Sequence, residues 1–212
     1  MFRVVTISRE YASGGGNIAR KIADQLGWTL LDKAFVEQIA RAAQVDPELA
    51  RRYDERIDSW LHRISRNAFR HGSFEAVGPY AALDLFDAET MAALGRDLIL
   101  EAACKGDCVI VGRGAQCVLQ GRKDVFHLFI YAPWPERLAR VRERFPEEAN
   151  PEERIRSMDQ QRAAFIRTYY GCDWIDPHLY HMLLNSELGE QQVTHIVLEA
   201  IRGRTCTMLN NT

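Results

Sequence analysis

The feature that most constrains this chain is a glycine-rich turn of fixed placement. Val4-Val5-Thr6-Ile7 is a short β-branched run, Ser8 to Ser13 is a polar connection, Gly14-Gly15-Gly16 follows, and apolar residues then recur at helical spacing through Ile18, Ala19, Ile22, Ala23 and Leu26. Gly27 stands where such a helix would stop. The order is strand, glycine turn, helix. In a parallel α/β sheet, ligands bind beyond the carboxyl ends of the strands, and a glycine turn opening a helix presents converging N–H groups and a positive dipole end to an anion. Ser13, Gly14, Gly15, Gly16 and Asn17 are therefore candidate phosphate-binding residues, with Arg9 just before them.

The rest of the chain repeats the alternation. Trp28-Thr29-Leu30-Leu31 reads as a second strand ending at Asp32, Cys108-Val109-Ile110-Val111 as a third, Phe126 to Tyr131 as a fourth and Met182-Leu183-Leu184 as a fifth. Helical spacing runs through 89–105, through Leu138 and Val141 after Pro133 and Pro135, from Pro151 to Tyr170, and through Val193, Ile196, Val197, Ala200 and Ile201. Apolar strands without strict alternation predict a five-stranded parallel sheet with helices on both faces. At 212 residues the chain fits one such domain. Its core would be 1–46, 88–132 and 171–212, interrupted by helical segments at 47–87 and 133–170.

Composition narrows the function. Twenty-seven Lys plus Arg against 29 Asp plus Glu give a net charge of −2, so no global field draws the chain to nucleic acid or anionic lipid. The apolar runs are strand-sized, which predicts no membrane span. Five cysteines without a C-x-x-C pair suit reduced thiols and a cytoplasmic protein better than a disulfide framework or a zinc site. His178 and His181 lack a third ligand of metal spacing, so no protein metal site is expected.

The turn is not a standard phosphate loop. The pattern G-x-x-x-x-G-K-[ST] would place Gly at 9, Lys at 15 and Ser or Thr at 16, where this chain has Arg9, Gly15 and Gly16. A dinucleotide G-x-G-x-x-G fits poorly as well, because Ala19 stands at its third glycine. Cations to replace the lysine could come from Arg9, Lys33, Arg113 and Arg162. Arg9 could equally pair with Glu10 in solvent, and Asp32 could cap the helix that follows it. Arg113 follows an apolar strand at its carboxyl end, where a phosphate contact is the better reading. Residues 134–167 hold eight arginines and seven acids, a pattern expected of a salt-bridged exposed helix.

Three stretches give the chain a resemblance. Ile7-Ser8-Arg9-Glu10-Tyr11-Ala12-Ser13-Gly14-Gly15-Gly16-Asn17-Ile18-Ala19, then Leu31-Asp32-Lys33, then Cys108-Val109-Ile110-Val111-Gly112-Arg113-Gly114, resemble the cytidylate kinase-like family. Asp159-Gln160-Gln161-Arg162, Trp174 and Tyr180 extend the likeness along nearly the whole chain. The resemblance implies a P-loop fold of the nucleoside monophosphate kinase type, with an acceptor-binding segment at 47–87 and a lid at 133–170. It implies ATP and Mg²⁺ as cofactors, and phosphoryl transfer to CMP, dCMP or a related small phosphate acceptor. By the same resemblance, Ser13 to Asn17 cradle the triphosphate, with Gly15 where active cytidylate kinases carry Lys. Asp32 and Lys33 lie at the acceptor site, where Gln38 replaces an arginine. Arg113 grips the acceptor phosphate, with Gly114 in place of an acidic residue, and Arg162 and Arg167 are lid arginines acting on the transferring group. The other reading is a catalytically weak P-loop module that binds a nucleotide or phosphate ligand to regulate a partner.

Overall fold

The computed structural model describes residues 1–32 and 88–206. The chain divides into two compact units, Met1–Asp32 with Arg96–Thr212, and Lys33–Gly95. The expected acceptor segment, together with Lys33 and Gln38, lies outside the described residues. Of the second unit only the start of one helix is described.

The first unit is built on five strands: β1 (Val4–Arg9), β2 (Thr29–Leu31), β3 (Cys108–Val111), β4 (Val125–Tyr131) and β5 (Met182–Asn185). They form one sheet in the order β2-β3-β1-β4-β5, and every neighbouring pair is parallel. β1 is central, with Val4 opposite both Cys108 and Val125. Its Val4, Val5 and Ile7 are fully buried, as a β-branched run covered on two faces requires. The helices are α1 (Gly15–Leu26), α2 (Ala88–Lys105), the short α3 (Ala115–Val118), α4 (Trp134–Arg144), α5 (Pro151–Tyr170) and α6 (Glu190–Cys206).

Strand side chains alternate between faces. Val5 and Ile7 of β1 with Phe126, Leu128 and Ile130 of β4 pack against Ile18 and Ile22 of α1 and Val193, Val197 and Ile201 of α6. Phe129, one residue out of that phase, joins Ile166 of α5, Trp174 and Tyr180 on the other face. The sheet is thus covered on both sides. Trp174 and Tyr180 serve the core, and the Tyr180 hydroxyl donates to the Trp174 carbonyl at 2.7 Å. His181 is also structural: its Nδ1 accepts from the His127 N–H at 2.9 Å, and its ring stacks on those of Phe126 and His127. No group of three metal-ligating side chains occurs among the described residues. No helix among them is long and apolar enough to cross a membrane.

α4 and α5 belong to the same compact unit as the sheet. α5 ends at Gly171, whose positive φ lets its N–H close on the Arg167 carbonyl.

Candidate functional site

The site lies beyond the carboxyl end of β1, where the chain must turn sharply into α1. Ala12 and Gly14 take left-handed backbone angles, φ 60° and 79°. The Gly14 carbonyl accepts from Asn17 and Ile18, so α1 begins at Gly15. No side chain caps this end. The N–H groups of Gly15 and Gly16 lie in the first helical turn, ahead of the first N–H that bonds back to Gly14. This glycine turn and the helices around it enclose a cavity of about 460 Å³, with Arg9, Arg140, Arg162 and Glu190 in its walls.

The structure gives the five loop residues different work. Ser13 is buried, and its hydroxyl turns back to the Glu10 carbonyl at 2.9 Å rather than into the cavity. The Asn17 amide donates to Glu190 at 2.9 Å, and Lys21 binds the same carboxylate at 2.8 Å. Burial opposes the Glu190 charge, but these two donors hold its carboxyl below the ordinary range. Gly14, Gly15 and Gly16 present backbone alone.

Arg9 is the last residue of β1 and shares the phase of Val5 and Ile7, so its side chain starts on the face that α1 covers. It passes beneath the turn: a Cβ added at Gly15 would lie 2.8 Å from the Arg9 Cβ. It ends beside β3, where a Cβ added at Gly112 would land on the Arg9 Nη1. The solvated pairing with Glu10 does not form. Glu10 instead accepts from the Ala132 N–H at 3.1 Å and pairs with Arg137 at 3.3 Å. Burial lowers the Arg9 pKa to about 9, and the Arg162 and Arg113 charges add to that fall, while Asp32 opposes it.

Arg113 sits between Gly112 and Gly114 in three successive left-handed conformations, φ 76°, 55° and 76°. A Cβ at Gly114 would run into the Tyr170 ring, so glycine there serves both the backbone angle and the close approach of α5. Arg162 reaches from α5 to donate to the Arg9 carbonyl at 2.8 Å and lies over the Tyr11 ring. Its pKa is lowered by burial, against the pull of Asp159. Asp32 closes β2 and lies 3.9 Å from Arg20. Arg167 is not brought to the cavity: it is exposed in the last turn of α5, about 140° around the helix from Arg162 at 100° per residue.

Arg137 is the residue that the reading of 134–167 as an exposed salt-bridged helix misses. It is 6% exposed, donates to the Tyr11 carbonyl at 2.8 Å, and pairs with both Glu10 and Asp159. Asp159 also accepts from the Tyr11 N–H at 2.7 Å, and Arg154 donates to the Tyr11 hydroxyl at 3.0 Å. These contacts fasten α4 and α5 to the loop. The signal was available in the helical phase, since Arg137 lies four residues before buried Val141 and shares its stripe.

The loop offers no hydroxyl for Mg²⁺. Gly16 stands at the usual ligand position, Ser13 is turned away, and Asn17 is held by Glu190. The described protein groups therefore do not make a magnesium site on their own.

The sequence pattern of the cytidylate kinase-like family matches residues 4–188. A cytidylate kinase from Methanosarcina mazei is 30% identical over 92 residues, which span 42% of this chain and 51% of that protein. The match thus covers about half of the relative's length. Among solved structures, an uncharacterized protein from Eubacterium ventriosum ATCC 27560 has a TM-score of 0.65 at 20% identity, covering 93% of this chain and 97% of the other. Shikimate kinase from Acinetobacter baumannii in complex with shikimate has a TM-score of 0.51 at 14% identity, covering 96% and 95%. These two show a shared fold. The parallel sheet, the glycine turn after its central strand and a family pattern running from β1 to the turn before α6 agree, and the chain belongs to the cytidylate kinase-like family.

Proposed function

We propose that the protein is an ATP-dependent phosphotransferase acting on CMP, dCMP or a related small phosphate acceptor in the cytoplasm. The observation that carries this reading is the convergence of Arg9, Arg113 and Arg162 beside a glycine turn at the carboxyl ends of β1 and β3. Phosphoryl transfer needs in-line positioning and neutralisation of spread negative charge more than covalent chemistry from the protein. The Gly14-Gly15-Gly16 backbone would meet the donor phosphates, with the positive end of α1 adding its field. Ser13 and Asn17 would hold the loop in shape, one through Glu10 and the other through Glu190. Arg162 would reach the transferring group from α5, and Arg113 would bind the acceptor phosphate together with Asp32 and Lys33. Arg167 would contribute only after α5 rotates or shifts. Mg²⁺ brought by the nucleotide would supply charge neutralisation, with no ligand from Ser13 or Asn17 as they stand.

The loop's lack of a hydroxyl ligand favours a second reading, a module that binds nucleotide without turning it over. Purified protein assayed with ATP, Mg²⁺ and each nucleoside monophosphate separates the two. ADP formation dependent on CMP or dCMP is expected. Binding of ATP with no transfer to any monophosphate would replace the enzyme by the regulatory module.

A further inference from the structure

Gly15 poses a problem that backbone geometry does not solve. It is the first residue of α1 and is not among the glycines with positive φ, so its conformation does not call for glycine. What excludes a side chain there is Arg9, whose Cβ would be 2.8 Å and Cγ 3.1 Å from a Cβ at position 15. Gly16, one residue on, has nothing within 4 Å of the same added atom. The crowding at Gly15 therefore comes first from the Arg9 stem, with the Ile130 Cβ next at 3.4 Å. At the far end of the same side chain, Gly112 leaves room for Nη1.

In the standard phosphate loop, position 9 would be glycine and position 15 lysine. Here the small residue and the cation stand at each other's places, while the glycine at 14 is kept. We propose that the two positions have exchanged roles: Arg9, threaded from the end of β1 beneath the glycine turn, is the cation that binds the donor phosphates in place of a loop lysine. Three further observations agree. The side chain begins on the α1 face of the sheet, directly under the first helical turn. Its guanidinium makes no ion pair with a carboxylate among the described residues, whereas Arg137 nearby pairs with two. Its charge is also opposed by both Arg113 and Arg162, a crowding that a polyanion among them would relieve.

The inference rests on the nucleotide-binding reading above, so ATP affinity is measured by titration for wild type and variants, with the melting temperature of each as the fold check. Arg9→Met keeps the stem beneath Gly15 and removes the charge; its ATP affinity is expected to fall at least about tenfold, the scale of one charge-assisted contact. Gly15→Lys alone should also bind more weakly, because two side chains then compete for one space. The double variant Arg9→Gly with Gly15→Lys should recover to within about tenfold of wild type, about 1.4 kcal/mol. Arg9→Met binding ATP as wild type does, or a folded double variant no better than Arg9→Met, overturns the exchange and leaves the nucleotide reading standing. A wild type that binds no ATP overturns both. Should the double variant not fold, Arg9→Lys against Arg9→Met decides: affinity kept by the lysine supports the exchange, and equal loss in both overturns it.

Discussion

Arg137 and Arg9 lie on either side of the same loop and do opposite things. Arg137 is enclosed by Glu10, Asp159 and the Tyr11 carbonyl, so its charge is matched and its hydrogen bonds are taken. Arg9 lies among Arg113 and Arg162, with Asp32 the compensating charge among the described residues. A matched buried cation organises structure; a crowded one stores affinity for an anion. Residue type alone cannot separate the roles, but the count of carboxylates within reach can.

The sharpest way to break this contrast is to remove each cation and measure stability. Arg137→Met leaves Glu10 and Asp159 facing a buried gap, and urea unfolding should show a loss of about 3–5 kcal/mol. Arg9→Met should cost far less, or stabilise, since it relieves repulsion. Equal losses would mean that both arginines are structural.

Turnover comes next. Arg113→Ala and Arg162→Ala should each lower kcat/KM by about 10²-fold with melting temperatures near wild type. Arg167→Ala should change it by less than about twofold, since that side chain is exposed on another face of α5. An Arg167→Ala loss matching Arg162→Ala would show that α5 turns during the reaction.

A third test lies away from the loop. Burial, then the neighbouring His181, lowers the His127 pKa to about 4, against 6.5 when exposed. The unfolded chain then binds more protons between those values, so this contribution is complete above pH 6.5 and is lost as pH falls toward 4. The loss is on the order of 3 kcal/mol for a largely buried ring. His127→Gln should flatten the slope of unfolding free energy with pH over that window. An unchanged slope would assign the acid sensitivity elsewhere.

The smallest effect is expected from inorganic phosphate, which should raise the melting temperature by a few degrees at millimolar concentrations through binding to the folded state. Arg9→Met should abolish that rise and Arg137→Met should not. A rise that survives Arg9→Met would place the anion elsewhere.

Much of the fold was legible because its signals are local. β3 is read from Cys108 to Val111 with the bounds the structure has, and α5 from Pro151 to Tyr170, since a proline and a glycine mark its ends. α3 was not legible: four residues after three left-handed ones carry no period to detect. The site was legible as a place and less so as a set of contacts. Glycine spacing locates the anion cradle, but the Ser13 hydroxyl turning inward and the Asn17 amide held by Glu190, 173 residues away, are tertiary facts. Arg162 and Arg167 look alike in sequence, and only the helical phase, fixed by Ile166 in the core, divides them.

The central claim is that the glycine turn and the arginine threaded beneath it hold the donor phosphates. A crystal structure with a non-hydrolysable ATP analogue tests it most directly. The account predicts phosphate density against the Gly15 and Gly16 amides, with the Arg9 guanidinium within hydrogen-bond distance of a phosphate oxygen. Phosphates bound away from the turn, or bound there with Arg9 facing a protein carboxylate instead, would contradict it.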